Sequence, residues 1–162
     1  MRDLVLGKGR PSVPDRLEHS RTANHQRRPS NVKMIETLQE YKTVVGDEPD
    51  RVVAVRFYAT YCKACQAVAP MFYRLATLYP DAMFIDVPVT ESNTSLHQGL
   101  GVTSLPYAHI YHPIVGLVEE QKLTRTHIQS FKVKLHSYMS GSCPIFYDND
   151  DPSSDLCAQS DY

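Results

Sequence analysis

The sequence predicts an α/β protein, a three-layer α/β/α sandwich with a mixed central sheet. Three observations carry that expectation. Strand-like and helix-like patterns alternate in the order βαβαβαββα. Two of the strand-like runs are apolar without alternation, as central strands covered on both faces are. The last two strands are joined as a hairpin, and helices spaced along such a sheet can cover both of its faces.

The elements follow in order from Asn31. Val32-Lys33-Met34-Ile35 alternates like a short strand. Thr37 precedes Glu40 by three, the spacing of a capping box. It predicts a helix through about Val45 with Leu38, Tyr41, Val44 and Val45 on one face. Gly46-Asp47-Glu48-Pro49-Asp50 is a turn. The β-branched and aromatic run Val52–Ala59 is a buried strand, and Gln66–Leu78 a helix that Pro70 should kink by removing a backbone donor. Ala82–Val87 is a second buried strand, and Ser92–Leu100 a short helix stopped at Gly101. Tyr107–Tyr111 and the run from Leu117 form a hairpin about the five residues His112–Gly116. Thr126 can cap a last helix through Met139, with Ile128, Phe131, Leu135 and Tyr138 at helical spacing.

The chain has 162 residues and a net charge of −1, with 42% hydrophobic residues and four cysteines, which bounds it to one compact domain plus slack. The neutral total hides unlike parts. Residues 1–30 carry seven Lys/Arg against three Asp/Glu, residues 31–143 ten against ten, and residues 144–162 none against five. We therefore expect a disordered basic leader over 1–30, the folded domain over 31–143 and an acidic disordered tail over 144–162. The leader has the arginines of an organellar targeting peptide, but its acids and only three serines depart from that pattern. A plastid address and a plain cytoplasmic extension both stay open.

Four cysteines are too few for a disulfide-packed miniprotein, and no early apolar run resembles a signal peptide. The longest near-continuous apolar segment, Val52–Tyr61, is interrupted by Arg56 and is half of the roughly 20 residues a membrane helix needs. A soluble chain is expected, without membrane or nucleic-acid partners: there is no Trp, no glycine-rich phosphate loop, no repeat and no basic field through the middle. Asp148, Asp150, Asp151 and Asp155 lack the Gly and terminal Glu of a calcium loop.

The chemistry-bearing motif is Cys62-x-x-Cys65, between a buried strand and a helix. Two thiols three apart at a helix start can close a disulfide with little backbone movement. The unsatisfied N–H groups of a helix N-terminus stabilise a thiolate, so Cys62 is the expected nucleophile. Cys65, farther into the helix, would resolve the mixed disulfide. Half of a zinc knuckle and two ordinary core cysteines are the competing readings; zinc would need two further ligands, and Cys143 and Cys157 are fourteen apart.

Phe57-Tyr58-Ala59-Thr60-Tyr61-Cys62-Lys63-Ala64-Cys65, then Pro70, then Gly101-Val102-Thr103-Ser104-Leu105-Pro106-Tyr107 resemble thioredoxin, whose pattern is F-W-A-x-W-C-x-x-C, a helix-kinking Pro, and G-[VI]-x-x-[VIL]-P-[TY]. The resemblance covers about Asn31 to Met139. Within the family the chain looks most like the atypical Cys/His-containing plastid thioredoxins, from Phe57–Thr60, Ser95-Leu96-His97 and Leu105–Tyr111. His97 and His109 are given no catalytic role.

The resemblance implies a thioredoxin fold and a thiol–disulfide oxidoreductase acting on protein disulfides. It implies no cofactor, a monomer, recharging by a thioredoxin reductase or a small thiol, and electron delivery to a peroxiredoxin as one use. It further implies that Pro106 is the family's cis-proline, which with Leu105 would pair with an extended substrate peptide, and that Tyr61, in place of the usual Trp, lies beside Cys62 as part of the docking surface. The sequence departs from the family beneath the second cysteine. The usual buried Asp is Arg56, and its Lys partner aligns with Asp86, so the two signs are exchanged. If they meet, the pair survives; a guanidinium cannot take a proton from Cys65, so Arg56 would act electrostatically and the proton would pass to water or Asp86. An Arg56 turned to solvent is the competing arrangement. Lys63-Ala64 replaces the common Gly-Pro, and Lys63 beside the thiolate predicts a less reducing couple. A regulatory disulfide of Cys143 and Cys157 is one reading of the tail. A non-catalytic adaptor that binds a partner through the cis-Pro groove is the second functional reading, and Arg56 is its main support.

Overall fold

The computed structural model describes residues 28–141. Most of the leader, the acidic tail, Cys143 and Cys157 therefore lie outside the described residues. Five strands form one mixed sheet in the order β1-β3-β2-β4-β5: β1 Val32–Met34, β2 Val53–Tyr58, β3 Met83–Pro88, β4 Tyr107–His112 and β5 Gly116–Lys122. The helices are α1 Leu38–Tyr41, α2 Lys63–Leu78, α3 Thr94–Gly99 and α4 Ile128–Ser140. The chain order is the βαβαβαββα expected from the pattern.

The sheet is built around β2. β1, β3 and β2 run parallel, and β4 lies antiparallel to β2 and to β5. All of β3 and five of six β2 residues are buried, which is why neither strand alternates in sequence. The edges are kept unattractive to other strands, β1 by its three-residue length and β5 by Glu119, Glu120 and Lys122.

Two apolar layers flank the sheet. On one face Val68, Phe72, Leu75 and Ala76 of α2 and Phe131 and Leu135 of α4 pack against Ala54, Phe84 and Ile110. On the other, Tyr41, Val45 and Leu96 cover Val53, Val55, Phe57, Ile85 and Val87. Burying ring- and leucine-sized side chains of this kind contributes about 1.5–3 kcal/mol each. Among the described residues, no helix is long and apolar enough to cross a membrane.

Each helix departs at a boundary from the sequence expectation. α2 begins at Lys63 rather than Gln66, because Cys62 itself is the N-cap and its Sγ accepts from the Cys65 N–H at 3.2 Å. The Thr37–Glu40 capping box forms, but the α-helix lasts only to Tyr41 and continues as a π-helical turn over Lys42–Gly46. That widening still buries Tyr41 and Val45 together, while Leu38 is exposed. A 3₁₀ turn over Glu91–Asn93 precedes a shorter α3. The N-cap of α4 is His127, not Thr126, whose hydroxyl is shared with Thr124 at 2.8 Å. Gly141 closes α4 at φ 65°, a left-handed conformation that a residue with a Cβ resists.

Candidate active site

The site forms where β2 ends and α2 begins. Cys62 and Cys65 are disulfide-bonded, with their Cα atoms 5.2 Å apart. No group of three or more candidate metal ligands occurs among the described residues. Cys62 is half-buried and Cys65 only 1% exposed, so an incoming sulfur meets Cys62 first. The first turn of α2 supplies the N–H of Cys65 to Cys62 Sγ, a donor that also favours a negative sulfur once the disulfide is open.

The Leu105–Pro106 peptide bond is cis. It lies at the start of β4, where Tyr107 pairs with Phe57 near the end of β2, so the topology brings it to the same end of the sheet as the disulfide. The Pro106 carbonyl accepts from the Leu123 N–H at 2.9 Å and is thus engaged by the fold itself. Tyr61 is 82% exposed beside Cys62, and Lys63 and Ala64 are exposed as well. A largely apolar groove of about 520 Å³, lined by Tyr41, Leu96, Tyr111 and Leu117 among others, opens at the opposite end of the sheet and does not include the cysteines.

Beneath α2 lies a buried ionic cluster. Arg56 and Asp86 are register partners on β2 and β3. The Arg56 guanidinium donates to both Asp86 oxygens, at 2.8 and 2.9 Å, and is 1% exposed. The arginine therefore points into the protein and not to solvent. It sits over the rings of Tyr58, Tyr73 and Phe72 at 4.7, 5.0 and 5.3 Å, in cation–π range. Tyr73 donates to Asp86 at 2.7 Å and accepts from Arg56 at 3.1 Å. Its phenol is raised above the ordinary value by burial, then by the Asp86 charge and hydrogen bond.

Sequence reasoning missed two members of this cluster. Arg28, placed in the leader, donates to Asp86 at 3.2 Å and to the Tyr58 hydroxyl at 3.4 Å. Burial opposes its charge, but the Asp86 hydrogen bond and charge outweigh that and raise its pKa. No local signal marks a contact 58 positions away in sequence. Tyr73 did carry one: its place next to Phe72 puts a phenol beside the buried face of α2.

His109 and His97 lie apart from the disulfide motif in sequence. His109 is fully buried on β4, edge-on to Phe57 and Tyr107, with Nδ1 3.1 Å from the Tyr111 hydroxyl, which in turn meets the Tyr41 hydroxyl at 2.7 Å. Burial pushes its pKa down to about 4.

The sequence pattern of the Thioredoxin family matches residues 32–132. The chain is 30% identical over 138 residues to Thioredoxin-like 2, chloroplastic, of Oryza sativa subsp. japonica, an alignment covering 85% of this chain and 63% of that protein. It thus spans less than two thirds of that relative's length. Among solved structures, thioredoxin f from spinach chloroplast (long form) superposes with a TM-score of 0.60 at 20% identity, covering 67% of this chain and 86% of that one. Thioredoxin f2 in a complex with ferredoxin:thioredoxin reductase gives a TM-score of 0.56 at 19% identity, covering 68% and 94%. With the fold, the strand–Cys-x-x-Cys–helix junction and the family match in agreement, the chain belongs to the thioredoxin family.

Proposed function

We propose that this protein is a thiol–disulfide oxidoreductase that reduces protein disulfides, with Cys62 as nucleophile and Cys65 as resolving thiol. The observation that carries the reading is the asymmetry of the pair. Cys62 is accessible at the N-cap of a helix, and Cys65 is buried one turn behind it.

The reaction follows from that geometry. The Cys62 thiolate attacks one sulfur of a substrate disulfide, and the other substrate sulfur leaves as a thiolate that takes a proton. Cys65 then loses its proton and attacks Cys62 Sγ. The mixed disulfide breaks, the second substrate thiol is released, and the Cys62–Cys65 disulfide forms. Two electrons and two protons from a donor dithiol, or from two molecules of a small thiol, restore the starting state.

Tyr61 and Leu105 form the docking surface for the substrate peptide. Because the Pro106 carbonyl is taken by Leu123, strand-like pairing falls to the backbone of Leu105. Arg56 cannot serve as base, and Asp86 already accepts from Arg56, Arg28 and Tyr73. The Cys65 proton therefore goes to water. Lys63, exposed next to Cys62, adds positive charge beside the thiolate.

The recharging partner is a thioredoxin reductase or a small thiol, and a peroxiredoxin is one recipient to test. The chloroplastic name of the rice relative supports a plastid location over the cytoplasm. Turnover of insulin disulfides by the full chain, with Cys62→Ser as control, tests the reading. Cysteine-dependent reduction is expected. No turnover that depends on Cys62 would favour a non-catalytic adaptor on the same fold.

A further inference from the structure

Two guanidinium groups face one carboxylate in the cluster under α2. Arg56 satisfies Asp86 in a bidentate pair, and Tyr73 adds a neutral donor. Arg28 is therefore surplus to charge balance at Asp86 and leaves the cluster with one net positive charge. It also comes from outside the secondary structure, ahead of β1, and its side chain is 30% exposed.

We propose that Arg28 is a positioning residue that tunes the redox couple: through Asp86 it leaves one net positive charge beneath α2, which favours the dithiol form of Cys62 and Cys65 over their disulfide. The proposal rests on the oxidoreductase reading above.

The electrostatics are direct. Reduction turns a neutral disulfide into a thiol and a thiolate. Two electrons come from a donor dithiol, which becomes a disulfide, and of its two protons one stays on Cys65 and one goes to water. Only the reduced side carries the new negative charge, so a fixed cation stabilises that side alone. The cluster is placed to act, because Arg56 touches Phe72 and Tyr73 of the helix whose N-terminus bears the cysteines. Tyr73 lies eight positions along α2 from Cys65, about 12 Å of helix rise. Arg28 also reaches the hydroxyl of Tyr58, the last residue of β2 before the turn to Cys62. At such a separation a partly exposed charge changes the equilibrium roughly two- to tenfold. Lys63 contributes in the same direction from the surface, and Asp86 and Arg56 cancel each other at this distance.

The test is the equilibrium between the full chain and glutathione redox buffers for wild type, Arg28→Gln and Arg28→Lys, with thermal unfolding of each protein in both redox states. Arg28→Gln should shift the equilibrium toward the disulfide by roughly two- to tenfold and raise the apparent pKa of Cys62 alkylation. Arg28→Lys should stay near wild type. Because Asp86 keeps Arg56 and Tyr73, Arg28→Gln should fold. As a second measurement, passing from low to molar salt should move wild type toward the disulfide, and move it more than Arg28→Gln. An Arg28→Gln protein with an unchanged equilibrium constant, or one that loses the same stability in both redox states, overturns the proposal. So does a wild-type equilibrium insensitive to salt. A wild-type chain that neither equilibrates with glutathione nor reduces a disulfide overturns the oxidoreductase reading first, and this proposal with it.

Discussion

Arg56 and Asp86, register partners on adjacent parallel strands, close a bidentate ion pair at 2.8 and 2.9 Å inside the layer between the sheet and α2. Taking such charges out of water costs several kcal/mol per ion, and mutual attraction repays it only when the geometry is good and the remaining donors are met. Here Asp86 is fully satisfied, whereas one Arg56 nitrogen, Nη1, is buried with no hydrogen-bond partner among the described residues. The pair is thus better understood as a placement of charge than as a source of net stability.

That view predicts an asymmetry between single and double variants. Asp86→Leu alone strands the buried Arg56 charge and should cost about 3–5 kcal/mol, and Arg56→Met should cost less, because Asp86 keeps Arg28 and Tyr73. The double variant should recover much of that loss. Urea unfolding of the four proteins checks it, and additive losses would count against the pairing.

His109 predicts how stability depends on pH. Its pKa is about 4 in the folded protein because burial disfavours the cation. As the unfolded chain has the ordinary value near 6.5, it takes up the proton first as pH falls. The contribution is complete above about pH 6.5 and is lost progressively down to about pH 4, on the order of 3 kcal/mol in all. Glu40 and Glu48, whose pKa values are lowered respectively by hydrogen bonds from Glu36 and Thr37 and by the hydrogen bond from Arg51, act only at lower pH. His112, whose pKa burial also lowers, acts in the same window, so unfolding between pH 7 and 5 is compared in wild type and His109→Phe, which should flatten most of that slope.

Lys63 predicts the sign of a potential. An exposed cation next to Cys62 should make the couple less reducing than the roughly −270 mV of thioredoxin, and Lys63→Glu should return it toward that value. Equilibration with glutathione measures both. A wild-type potential at or below −270 mV, or one that Lys63→Glu leaves in place, would remove Lys63 from the account.

Much of this molecule is legible in its sequence because the signals are local. Unbroken apolar runs mark β2 and β3, turn residues mark the hairpin, and Cys62 and Cys65 mark the junction of strand and helix. The exchanged signs at positions 56 and 86 were also visible, because a family pattern supplied the expected residues. What was not legible depends on the third dimension. Arg28 sits among prolines and scattered arginines and acquires meaning only where β1 lies beside β3. The switch from α-helix to a π-turn after Tyr41 is settled by what Tyr41 and Val45 pack against, not by helix propensity. His109 follows the strand pattern of its neighbours, and its hydrogen bond to Tyr111 needs only residues two apart. Its link to Tyr41 needed the fold.

The central claim is that Cys62 attacks and Cys65 resolves, and it is tested most directly by trapping the intermediate. Full-length protein carrying Cys65→Ser, reacted with a disulfide-bonded substrate and mapped by mass spectrometry, should accumulate a mixed disulfide. The account predicts that the bond is to Cys62 and that no such adduct builds up in wild type, where Cys65 releases it. An adduct at another cysteine, or none at all while the unsubstituted protein still turns over, would contradict it.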